Sequence, residues 1–108
     1  MRTGNFDLER DTDWELLDRY LSKPMEKYFT RKLPDLEIDE VRRRIAECLK
    51  GLIVLHLIGG NIPFSDDIDA IWHYWILQTA EYAELCRKLP GGEFLHHSSA
   101  DYPRAGEP

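Results

Sequence analysis

The sequence predicts an all-α fold, a single-domain bundle of about four helices with a short C-terminal segment folding back, and three observations carry this reading. Apolar residues recur at helical spacing through Ile38, Val41, Ile45, Cys48, Leu49, Leu52, Ile53 and His56. A second helical pattern runs from about Asp66 to about Lys88. Pro24, Pro34, Gly59-Gly60-Asn61, Pro63 and Pro90-Gly91-Gly92 punctuate the chain between and after these segments. A chain of 108 residues with 43% apolar content can bury one modest core, so residues 1–108 read as one domain.

Taken in order, residues 1–11 form a polar, irregular lead-in. The first helix starts at Thr12, where Thr12-x-x-Glu15 has the form of a capping box, and Trp14, Leu17 and Leu21 make its apolar stripe. Pro24 suits the first turn of a short second helix bearing Met25, Tyr28 and Phe29. The third helix carries charge on one side until Lys50. After Gly51 it turns apolar all round, which predicts a central helix whose C-terminal half is buried on several sides.

Ser65 is placed to cap the fourth helix, with Asp66 and Asp67 in its first turn, where the helix dipole favours anions. On a straight helix, Asp69, Trp72, His73, Ile76, Thr79, Ala80 and Ala83 gather on one side. Trp72 and Ile76 mark that side as buried, which makes Asp69 and His73 an i, i+4 pair facing the core. Trp75, Tyr82 and Cys86 fall on its flank. Glu93 to His97 then folds back across the bundle, and Ser98 to Pro108 is irregular.

Charge and hydropathy narrow the function classes. With 14 basic and 20 acidic residues the formal charge is −6, so no nucleic acid partner is expected, and Arg42-Arg43-Arg44 reads as a solvated helix face. The N-terminus carries charge where an export signal needs an apolar stretch. The longest apolar run, Leu52 to Ile58, is interrupted by His56 and falls far short of the ~20 residues a membrane span needs. The expectation is a soluble, cytoplasmic protein with no membrane partner and with reduced thiols at Cys48 and Cys86.

The polar residues within the apolar segments are those that metal ions use. Burying an ionisable group costs several kcal/mol unless it is paired or metal-bound. Asp69 and His73, with Cys86 further along and His96 or His97 on the returning segment, offer mixed oxygen, nitrogen and sulfur ligands for Zn²⁺ or Fe²⁺, and His56 is a further ligand from the neighbouring helix. The spacing D-x3-H-x12-C-x9-H-H matches no established zinc pattern. The leading reading is a small metal-binding protein, of which a non-haem iron or zinc enzyme acting on a small molecule or peptide is the catalytic version; the sequence leaves open whether it is an enzyme. The alternative is a non-catalytic protein-interaction module in which the Asp, His and Cys cluster is a structural buried polar network and a surface such as the Trp14 stripe docks a partner. Nucleophilic catalysis by Cys86 lacks any supporting Cys–His signature, and no phosphate-cradling loop is present.

Asp69-x-x-Trp72-His73-x-x-Ile76-Leu77-x-Thr79-x-x-Tyr82-x-x-x-Cys86, followed by Phe94-Leu95-His96-His97, resembles the pattern of the glycine-rich domain-containing protein-like family. That family comprises small bacterial proteins and related segments of plant glycine-rich domain proteins. The resemblance covers about Ile45 to Tyr102. It departs from the family pattern at Trp75, where many relatives carry a second His, and at Ser98-Ser99, where a proline is usual. It implies that Asp69, His73, Cys86, His96 and His97 belong to one site or one folding core, and it supplies no reaction.

Overall fold

The computed structural model describes residues 8–60 and 63–96, with side chains from residue 12 onward. Among them the fold is all-α, a bundle of five helices: α1 (Leu8–Tyr20), α2 (Lys23–Lys32), α3 (Ile38–Ile58), α4 (Asp66–Leu77) and α5 (Thr79–Lys88). The fifth helix arises because the expected 66–88 helix is two. Gln78, at φ −95° and ψ 74°, leaves the helical region. Its N–H turns back to the Trp75 carbonyl at 2.9 Å, and its own carbonyl accepts the Tyr82 N–H at 2.8 Å. One residue thus ends α4 and starts α5 with no proline or glycine.

The local start signals worked unevenly. Ser22 caps α2, its Oγ accepting the Met25 N–H at 3.3 Å, and Pro24 sits in the first turn. The capping box at Thr12 is not used, since α1 begins four residues earlier and Thr12 lies inside it. Ser65 does occupy the N-cap of α4, but its hydroxyl donates to Asp67 Oδ1 at 2.5 Å, and the same carboxylate oxygen accepts the Ile68 N–H at 2.9 Å. Asp67 therefore takes over the capping acceptor role.

Helix α3 is the centre. It packs against α1, α2 and α4, while α4 also packs against α2 and α5. Val41, Ile45, Ala46, Cys48, Leu49 and Leu52 are sealed from solvent along it, each Val, Ile or Leu contributing about 1.5–3 kcal/mol by burial. Phe29 of α2 meets Trp75 of α4 edge to face, with ring centroids 5.2 Å apart. The burial ends at Leu52. Val54, Leu57 and Ile58 are 40, 68 and 80% exposed, against the expectation that the C-terminal half of α3 is the most buried part. The partner helices cover the first two-thirds of α3, and its last turns project past them.

Charged residues lie around this core. Lys50 Nζ of α3 is 2.7 Å from Asp13 Oδ1 of α1, giving that shielded oxygen its partner. Arg42 pairs with Glu26 at 2.5 Å and covers the Trp14 ring at 5.3 Å. Arg43 and Arg44 both reach Glu40 at 2.8 Å, so the three arginines are engaged within the protein's own surface. None of the described helices is long and apolar enough to cross a membrane.

Candidate functional site

The site expected from sequence rested on which face of the 66–88 segment is buried, and the structure turns that face. On α4 the core residues are Ile68, Ile71, Trp72 and Trp75. At about 100° per residue His73 lies roughly 140° round from Ile68. It is exposed, against its expected place facing the core with Asp69. Asp69 sits at the margin and is half-buried. Trp72 borders both faces, and for that reason it misled the wheel.

Cys86 is buried on α5 beside Tyr82, and burial raises the Tyr82 hydroxyl well above its usual range, with the Cys86 and Cys48 thiols adding to the rise. Burial likewise pushes the Cys48 thiol far up, with Asp69 contributing, so Cys48 is an inert packing thiol. Both cysteines are free. His96 is exposed on the returning segment, and His97 lies outside the described residues.

These placements overturn the metal-site reading. Among the described residues no group of three or more His, Cys, Asp or Glu side chains is arranged to hold a metal ion. His73 faces solvent while Cys86 faces the core, so a Zn²⁺ or Fe²⁺ centre built on His73, Asp69, Cys86 and His96 is not formed, and the zinc or iron enzyme reading goes with it. No polar or charged residue among those described is fully buried, and Asp69 is half-buried at the margin of the core. Nor is the Trp14 stripe a free surface, since Trp14 packs against the core and lies under Arg42.

The structure instead brings His56, Asp69 and His96 together, with Trp72, around a cleft of about 380 Å³ at the C-terminal end of α3. Leu55, Phe64 and Leu95 supply apolar walls, Gly59 and Gly60 the lip, and Glu93 the outer edge. Phe64 stands edge-on to Trp72 at 5.2 Å. It fits because α3 carries glycine opposite: a Cβ at Gly51 would stand 2.2 Å from Phe64 Cε1.

Behind the cleft, Trp72 Nε1 donates to the Tyr82 hydroxyl at 2.8 Å, and that hydroxyl donates to the Leu95 carbonyl at 2.5 Å. Three elements, α4, α5 and the returning segment, are joined through one oxygen. The sequence offered a signal for this chain of bonds, since a buried Trp and Tyr each need a partner for the polar tip. Phe64 and Gly51 carried none, because their contact joins α3 to the segment that precedes α4.

Comparison with protein-family models, curated proteins and solved structures gave no match to this chain. The resemblance to the glycine-rich domain-containing protein-like family therefore rests on the sequence pattern alone.

Proposed function

We propose that the protein is a binding module whose cleft at the end of α3 takes a small ligand or peptide side chain bearing a protonated amine. The observation that carries this reading is the joint placement of Asp69 with Trp72 and Phe64 in a concave site of about 380 Å³, within the size range of small-ligand pockets. A carboxylate beside aromatic walls attracts an ammonium group both by charge and by the ring faces. Glu93 at the outer edge and the net charge of −6 add to that preference. His56 and His96 supply polar contacts at the margin, and Leu55 and Leu95 accept the ligand's alkyl portion.

The amine has two sources, a free diamine or a lysine within a peptide, and one titration series separates them. Trp72 forms a wall of the cleft, so its fluorescence reports occupancy. Millimolar cadaverine or an acetyl-lysine-amide peptide is expected to shift the emission, while the same compounds with the side-chain amine acetylated are not. Asp69→Asn is expected to weaken the response about tenfold, the scale of one charge-assisted contact. A response to the lysyl peptide alone assigns the site to a protein segment. Equal responses to the charged and acetylated compounds, or none to either, would overturn the proposal.

A further inference from the structure

The segment that follows α5 is a strap. It leaves the core at Leu89, which is 2% exposed, and crosses the end of α3 to Leu95. Four contacts hold it. Leu89 is buried; Gly91, at φ +102°, lies so close to the His56 ring that an added Cβ would stand 3.0 Å from its Cβ and Cδ2. The Glu93 carbonyl lies 2.5 Å from His56 Nε2, and the Leu95 carbonyl accepts from Tyr82.

The His56 contacts have an uneven chemistry. Its Nδ1 lies 3.1 Å from the Leu52 carbonyl, and its Nε2 faces the Glu93 carbonyl, so both nitrogens point at acceptors. A neutral imidazole has one N–H and one lone pair, and in either tautomer it turns the lone pair on a carbonyl oxygen. Only the imidazolium donates to both. His56 also stands in the last turn of α3, where the negative end of the helix dipole favours a cation.

We propose that His56 is a proton-operated latch on the 89–96 strap: the charged ring ties Glu93 of the strap to α3 and holds the strap as a wall of the cleft, and loss of the proton loosens it. Several titratable groups stand around the ring. Asp69 of α4 and the Glu93 and His96 side chains of the strap line the same cleft as the ring. Tyr82 of α5 meets the strap as a neutral donor. Because the closed strap holds the extra proton, closure is favoured as pH falls. The latch rests on main-chain contacts and does not depend on what the cleft binds.

The test uses ¹⁵N-labelled full-length protein without ligand, taken from pH 8.5 to pH 5.5, the range that brackets ordinary imidazole titration. Ring spectra of His56 are followed together with the amides of Gly92, Glu93 and Leu95 and the Trp72 indole N–H. The expected result is one shared midpoint for all of them. Strap amides, corrected for intrinsic exchange, should be protected roughly tenfold more at the acid end, the scale of one charge-assisted hydrogen bond. His56→Gln keeps a donor that does not titrate and should remove the transition from the strap. Strap signals that stay still while the His56 ring titrates in the wild type would overturn the latch. So would an unchanged transition in a folded His56→Gln variant.

Discussion

The two ends of α3 are held by different forces. From Val41 to Leu52 its inner face is apolar, shielded and gripped by side chains of α1, α2 and α4. From Val54 to Ile58 the same helix carries exposed aliphatics, and the strap there is tied by two bonds to main-chain carbonyls, one from His56 and one from Tyr82. Burial fixes the first end whatever the solution conditions. The second end depends on donors whose state a proton or a ligand can change. A helix can in this way serve as a rigid axis at one end and a responsive margin at the other.

The largest effect should come from breaking the packed end. Trp75→Ala removes a ring that is 1% exposed and loses the edge contact with Phe29, so a loss of about 3–5 kcal/mol is expected in urea unfolding. A change below about 1 kcal/mol would show that the core repacks and that the contrast between the ends is overstated.

Tyr82→Phe sharpens the comparison from the other side. It keeps the ring and deletes the oxygen that joins Trp72 to Leu95, breaking both hydrogen bonds of that junction. About 1–3 kcal/mol should be lost. Hydrogen exchange should rise most in residues 93–96, while amides along Val41 to Leu52 keep their protection. Uniform loss of protection would mean that the strap is part of the core.

The smallest effect belongs to the surface of the packed end. Hydrogen bonds from Arg43 and then Arg44 hold the Glu40 carboxyl down from an ordinary 4.5 to about 2. A depressed carboxylate stabilises the fold above its unfolded pKa, and that contribution fades as pH falls from 4.5 toward 2. Glu40→Gln should therefore cost about 0.5 kcal/mol or less at pH 7, and it should flatten the stability curve within that acid window, where wild type and variant converge. A variant as sensitive as the wild type through the window would assign the acid slope to other carboxylates.

Much of the fold was legible because it is written in local chemistry. The period from Ile38 to His56, the proline in the first turn of α2 and the glycines at 59–60 and 91–92 each act within a few residues of themselves. The break at Gln78 was not legible. Tyr82 and Cys86 continue the apolar phase of Ile68 and Trp75, and a glutamine gives no warning of a corner.

The candidate site was legible in part. Asp69, His96 and the added His56 line one cleft, whereas His73, expected inward, is exposed, because Trp72 is compatible with either face. The aromatic wall and the strap contacts depend on residues far apart in sequence, such as Gly51 with Phe64 and His56 with Glu93. No window of neighbouring residues contains them.

The corner at Gln78 also bears on what keeps the C-terminal helices helical. An unbroken 66–88 helix would exceed the ~12–15 residues at which an isolated helix becomes marginally stable, whereas α4 and α5 span 12 and 10 residues. Neither piece has the length to persist before it docks. The 21-residue α3 exceeds that length, and in the folded bundle α4 packs on α3 while α5 packs on α4. A single non-helical residue thus leaves two short helices in the C-terminal part of the bundle that rely on docking for their helical structure.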